Sequence, residues 1–167
     1  VAPSRGLGDV YKRQARENLI TQCKLQGVTD ESQADSILTL IGLSDTGKKK
    51  VKDFSLGMRQ RLAIGLSLVG NPKLLVLDEP INGLDPEGIK EIRDLILKLN
   101  HDRNITVLIS SHILGELSRL ATRYGIIHRG RLIEEFTETQ LFERCHTKDG
   151  KAEMDLEEYF LNAIGGK

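Results

Sequence analysis

The residues with the strongest chemical content are two carboxylates in tandem, Asp78 and Glu79, which close the apolar run 74–77 (Leu-Leu-Val-Leu) and are followed by Pro80. A run this short, with no polar face, predicts a strand buried in a parallel sheet rather than a helix. Charge set directly against such a strand is costly unless it serves a site. In parallel α/β sheets that site lies beyond the carboxyl ends of the strands. A second apolar run, 105–109, ends in the same way on Ser110, Ser111 and His112. A histidine met alone is more often structural than functional, so His112 draws its interest from where it falls. Two more polar positions begin helices. Ser55 stands near the start of a long apolar-periodic segment with Gly57 two residues on, and Asp85-Pro86 joins an N-cap to proline at the first helical position.

The elements that must hold these groups follow an α/β pattern with a parallel sheet. A short helix is predicted from Ala15, with Leu19, Ile20, Cys23 and Leu25 on one side and Gly27 as its stop. A second begins near Asp30, buries Ala34, Ile37, Leu38 and Ile41, and ends at Gly42. A polar, Lys-rich loop over 44–53 leads to the Ser55 helix, whose inner face is Leu62, Leu66 and Val69 and whose end is Gly70-Asn71-Pro72. Beyond the first strand, the Asp85 helix buries Ile89, Ile92, Leu95, Ile96 and Leu99. Another helix is predicted over 113–123, then a strand 124–128 that turns at Arg129-Gly130 into 131–135. Residues 1–14 follow neither period and read as an unrelated or disordered leader. The organisation expected is a helical subdomain over 15–72, a catalytic core over 73–136 and a helical extension over 137–167.

Composition narrows the classes. Lys plus Arg and Asp plus Glu both number 24, giving zero formal net charge, which excludes a general polyanion binder. The longest stretches free of charged residues, 62–72 and 104–115, fall far short of the roughly 20 apolar residues that cross a bilayer. Cys23 and Cys145 are far apart, without metal-site or disulfide-framework spacing, and no basic-then-apolar leader opens the sequence. A cytosolic chain is expected.

Three motifs in order carry a resemblance. The segment PKLLVLDEPINGLDP resembles the Walker B strand and D-loop of ATP-binding cassette (ABC) ATPases. FSLGMRQRL, whose Ser55 lies 23 residues before Asp78, resembles their signature motif. SSHIL, whose His112 lies 34 residues after Asp78, resembles their switch loop. The resemblance covers about 15–164 and implies a P-loop NTPase-like α/β fold: the later, mostly parallel strands of a nucleotide-binding domain with its helical subdomain. It implies ATP and Mg²⁺ as ligands, with Asp78 holding Mg²⁺ through water and Glu79 polarising the water that attacks the γ-phosphate. His112 senses that phosphate. Ser55 and Gly57 present a helix N-terminus to phosphate oxygens, in this family those of ATP held by a second protomer arranged head to tail. Asp85 resembles the D-loop aspartate at that interface, a role compatible with plain helix capping. The implied partners are that protomer and separate transmembrane permease subunits, with no nucleic acid, and the implied location is the inner face of the cell membrane.

The signature departs from the usual LSGGQ, since Leu56 replaces the first Gly and Met58 the Gln. That form, with the closing stretch 155–161, resembles the branch of exporters for antimicrobial peptides such as bacitracin and lantibiotics. A DNA-repair-type ABC ATPase is the weaker alternative, because no heptad insertion separates the motifs. A non-catalytic interaction module is disfavoured by Glu79 and His112. The family's phosphate loop, GxxxxGK[ST], is expected upstream of the signature. Residues 42–49 nearly spell it, but Lys49 stands where a Mg²⁺-binding hydroxyl is required and the segment follows a helix rather than a strand, so the match is rejected. Gln14 lacks the surroundings of a Q-loop. The expected consequence is a chain corresponding to the later half of the domain, with an apolar sheet edge exposed.

Overall fold

The computed structural model describes residues 10–145 and 154–165, which form two compact units dividing between Ser110 and Ser111. The first contains α1 (Ala15–Leu25), α2 (Ser32–Leu40), α3 (Leu56–Ser67), β1 (Leu74–Asp78), α4 (Pro86–Arg103) and β2 (Thr106–Ser110). Helical segment and strand pair therefore belong to one body. The boundary expected between 72 and 73 is not where the chain divides, because α4 packs back on α3 and on β2.

Helix α2 and its C-cap Ile41 bury the four apolar residues the period predicts, Ala34, Ile37, Leu38 and Ile41. Helix α3 buries Leu62 as expected, but also Gly57, Ile64 and Gly65. It touches α1, α2 and α4, so a single stripe does not describe it. At Gly65, α2 and α3 approach closely: a Cβ there would lie 2.7 Å from Ile41 Cδ1 and 3.1 Å from Ile37 Cγ2. Between these helices the chain is not a plain solvated loop. It forms two 3₁₀ turns, Ser44–Thr46 and Val51–Asp53, with Val51 and Phe54 buried.

Residues 10–14, assigned above to a leader, are docked on this unit. Gln14 forms an antiparallel bridge with Lys50, the Val51 amide donates to the Arg13 carbonyl at 3.0 Å, and the buried Asn18 amide donates to the carbonyls of Val10 and Gln14. The rest of the assigned leader, 1–9, lies outside the described residues. On the surface, Arg16 grips both oxygens of Asp35 at 2.7 and 2.9 Å and holds that carboxyl below the usual carboxylate range.

Strands β1 and β2 are parallel and in register, Leu74 opposite Thr106 through Asp78 opposite Ser110. The sequence predicts burial on both faces; instead the strands alternate. Leu75 and Leu77 are buried, while Leu74, Val76 and Leu108 are more than half exposed on the opposite face.

The second unit holds α5 (Leu114–Leu117), β3 (Arg123–His128), β4 (Arg131–Thr137), α6 (Glu138–Cys145) and α7 (Leu156–Gly165). The helix predicted over 113–123 contracts to one turn, extended by irregular turns to Ala121. The third strand of the predicted parallel pattern, β3, is instead recorded in an antiparallel pair with β4. Its two-residue connection, Arg129 at φ 48° and Gly130 at φ 74°, has both residues in the left-handed region, the geometry that closes a tight hairpin. Phe136 anchors this core, stacked on Tyr124 at 5.5 Å and edge-on to Tyr159 at 5.4 Å. The Arg144 guanidinium lies over the Phe136 ring and pairs with Glu134, which also accepts from Tyr159 Oη. Burial raises the phenols of Tyr124 and Tyr159 above their ordinary range.

Candidate functional site

The site is built where β1 and β2 end. Because Asp78 and Ser110 are register partners, their side chains leave the same face side by side. Ser110 Oγ donates to Asp78 Oδ1 at 2.5 Å, a short bond of the charge-assisted kind. The Glu79 amide donates back across the strands to Ser110 Oγ at 3.0 Å and to the Ser110 carbonyl at 3.2 Å. Glu79 itself adopts φ 48°, a left-handed backbone that costs a side-chain-bearing residue about 1–2 kcal/mol. Among non-glycine residues in that region, Asn71 and Asn104 are of a type that tolerates it and Arg129 closes the hairpin, so Glu79 is the unusual one. The Asn82 amide donates to the Glu79 carbonyl, and buried Pro80 and Ile81 pin the turn from below.

That turn delivers the chain to α4. Asp85 is its N-cap, with Oδ1 accepting from the Gly88 amide at 3.2 Å and Pro86 at the first helical position. Ser55 caps α3 in the same way, Oγ accepting from the Met58 amide at 3.2 Å. The two helix starts are neighbours: a Cβ on Gly57 would lie 3.9 Å from Gly88 Cα and from Leu84 Cδ2. Nothing in the fold thus requires glycine at 57. Leu56 is partly exposed, with its Cδ2 3.5 Å from a Cβ built on Gly83.

The structure brings Asp78, Glu79 and Ser110 together in one group, and Ser55, Gly57 and Asp85 in another formed by the starts of α3 and α4. His112 is exposed in the second unit, two residues beyond Ser110 in sequence, in a bend where the Ile113 amide donates to Ser111 Oγ. Among the described residues no group of three His, Cys, Asp or Glu forms a metal cluster. With Oδ1 of Asp78 engaged by Ser110, its remaining oxygen fits the outer sphere of a cation that arrives with other ligands. That is the donor set Mg²⁺ uses beside phosphates, with one carboxylate and retained waters.

Two contributors escape sequence reasoning. Arg61 Nη1 donates to the carbonyls of Ile41 and Gly42, and Nη2 lies 3.5 Å from Glu91; the guanidinium thus satisfies the end of α2 and ties it towards α4. The other is the pairing of Ser110, named above only within the polar cluster that ends the second run, with Asp78 and the Glu79 amide. Residues 42–49, the rejected phosphate-loop match, begin as a helix terminator: Gly42 has φ 66° and the Leu43 amide donates to the Leu38 carbonyl at 2.9 Å.

Residues 5–82 match the family model described as ABC transporter. The bacitracin transport ATP-binding protein BcrA of Bacillus licheniformis is 53% identical over 121 residues, which are 72% of this chain and 40% of that protein. The chain belongs to the ABC transporter ATP-binding family. The lantibiotic transport ATP-binding protein SrtF of Streptococcus pyogenes is 42% identical over 156 residues, 93% of this chain and 62% of that protein. A match that long within 167 residues takes in Asp85, Ser110 and His112. The chain spans less than two thirds of the length of either relative. Among solved structures, an ATP-binding cassette of an ABC transporter in its ADP conformation superposes with TM-score 0.70 at 25% identity, covering 79% of this chain and 58% of the other. CbiO1 of Clostridium perfringens, part of the transporter complex cbiONQ, superposes equally well (TM-score 0.70) at 24% identity over 82% and 56% of the two chains, and shows the fold. Among the described residues of this ABC chain no helix is long and apolar enough to cross a membrane.

Proposed function

We propose that this ABC chain carries the hydrolytic and signature elements of the ATP-binding subunit of an antimicrobial-peptide exporter of the bacitracin or lantibiotic kind. The subunit works at the cytoplasmic face of the membrane against separate permease subunits. The observation that carries the reading is the Asp78–Glu79 pair, set at the mouth of a parallel strand pair and held by Ser110. In it Asp78 is the ligand for Mg²⁺ through water, and Mg²⁺, when bound, supplies charge neutralisation at the phosphates. Glu79 accepts a proton from the attacking water. His112 contacts the γ-phosphate. Ser55 and Gly57 offer the α3 N-terminus to ATP on a second protomer, with Asp85 beside them at the same interface, so two chains meet head to tail. Gly57 supports this reading because the fold leaves room for a larger residue there, whereas close backbone approach of a phosphate does not.

The test is made in the full-length transporter ATPase containing these residues. Glu79→Gln is expected to keep ATP binding and slow turnover by at least 100-fold, in line with loss of a general base, while Asp78→Asn raises the Mg²⁺ concentration needed. In the Glu79→Gln background, ATP is expected to convert monomers to dimers by light scattering, and Gly57→Asp to abolish that conversion. Unchanged turnover in Glu79→Gln removes it as the base; dimerisation of Gly57→Asp on ATP removes the signature assignment.

A further inference from the structure

The hydroxyl at the end of β2 is placed as no role assigned so far requires. Ser110 Oγ gives its proton to Asp78 Oδ1 (2.5 Å) and receives the amide proton of Glu79 (3.0 Å). One atom therefore fixes the side chain of the first carboxylate and the backbone of the second. A hydroxyl is the side-chain group that donates and accepts at one small oxygen; alanine or valine in the same register does neither. The Glu79 amide needs such a partner. With φ at 48° the residue has left the β ladder, and its N–H is held by Ser110 through Oγ and the carbonyl together. The consequence is directional. The bond to Oδ1 turns the Asp78 carboxylate so that its other oxygen faces away from β2. The bonds to the Glu79 amide hold that backbone in the left-handed region, which sets the direction in which the Glu79 side chain departs.

We propose that Ser110 is a positioning residue for ATP hydrolysis, acting through Asp78 and Glu79 without touching the nucleotide. The proposal rests on the catalytic reading of that pair, and its test separates the two. In the full-length ATPase, Ser110→Ala is expected to lower kcat about 10–100-fold, the usual loss when the partner of a metal-orienting group is removed. KM for ATP stays within about twofold, and the Mg²⁺ concentration for half-maximal rate rises. Ser110→Thr keeps the hydroxyl on a residue suited to a strand and restores most of the rate. Independently of activity, amide hydrogen exchange by NMR on the 167-residue chain is expected to speed up about tenfold at Glu79 in Ser110→Ala, as for loss of a hydrogen bond, with Leu75 and Leu77 unchanged. Wild-type kcat and wild-type Glu79 exchange in Ser110→Ala overturn the proposal, as does a parallel change of KM and kcat with unaltered Glu79 exchange. If Glu79→Gln retains full turnover, the catalytic reading fails on its own account, and the Glu79 exchange rate still decides whether Ser110 holds the pair.

Discussion

Gly57 and Gly65 lie eight residues apart in α3, and the same substitution in each should move stability in opposite directions. At Gly57 an added Cβ meets nothing closer than 3.9 Å, so Gly57→Ala introduces no clash and gains the backbone preference of alanine, about 0.5–1 kcal/mol. At Gly65 the added Cβ falls 2.7 Å from Ile41 Cδ1 and 3.1 Å from Ile37 Cγ2. The Ile41 terminus can swing away; the Cγ2 of a β-branched side chain on a packed helix cannot move so readily. Overpacking of this kind costs about 1–3 kcal/mol, which outweighs the propensity gain and leaves a net loss of roughly 1 kcal/mol. Urea denaturation followed by far-ultraviolet circular dichroism reads both. With a slope of about 2 kcal/mol/M, the midpoint should rise by about 0.3–0.5 M in Gly57→Ala and fall by about 0.5 M in Gly65→Ala. If the start of α3 receives phosphate as proposed, function should run the other way, because even a methyl group at Gly57 hinders close backbone approach there. ATP-driven dimerisation of the full-length protein is then lost in the more stable variant. A Gly57→Ala protein that is destabilised like Gly65→Ala refutes the packing argument, and one that is stabilised yet still dimerises refutes the phosphate argument.

Since residues 42–49 form a helix cap and turn, titration calorimetry of the isolated 167-residue chain with Mg-ATP should show no micromolar binding; tight one-to-one binding would restore that segment as a phosphate loop. Arg61→Ala should cost about 1–3 kcal/mol, because two carbonyls at the end of α2 lose a charged donor, and Arg61→Lys should recover only part of the urea midpoint. The second unit should loosen in alkali. The raised phenols of Tyr124 and Tyr159 stabilise the fold fully below the unfolded tyrosine pKa of about 10 and lose that contribution as pH rises through their folded values. Absorbance at 295 nm should therefore show Tyr124 and Tyr159 ionising above the ordinary tyrosine range, together with loss of structure; ionisation of both within that range would contradict the burial.

What could be read along the chain was what depends on neighbours in sequence. The α2 face of Ala34, Ile37, Leu38 and Ile41, the caps Ser55 and Asp85, and the hairpin at Arg129-Gly130 are all set by residues within a turn or two of one another. What could not be read depends on distant pairing. The docking of residues 10–14 is decided by the Gln14–Lys50 bridge, and burial of Ile64 and Gly65 by α3 packing against three other helices. The site divides along the same line. Asp78 and Glu79 announce themselves by abutting an apolar run, whereas Ser110 looked like the polar end of a strand. Its meaning comes from register alone: slide β2 by one residue and Ile109 would face Asp78. The burial expected on both faces of β1 failed for a related reason, since an unbroken apolar run states what a strand can be covered by and not what covers it.

The left-handed backbone at Glu79 also bears on how such chains diverge. Glycine or asparagine would occupy φ 48° with less strain, so each generation of mutation offers a more stable protein at the cost of the carboxylate. Glutamate persists there only while something penalises its loss. A descendant relieved of hydrolysis, such as one pairing with an active partner, should drift towards glycine or asparagine at this position before its core changes, gaining stability as it does so. On the proposed reading of Glu79 as the base, the identity of this one residue is a readable sign of whether selection still acts on turnover, and stability measurements on Glu79→Gly and Glu79→Asn would reveal how strong the opposing pull is.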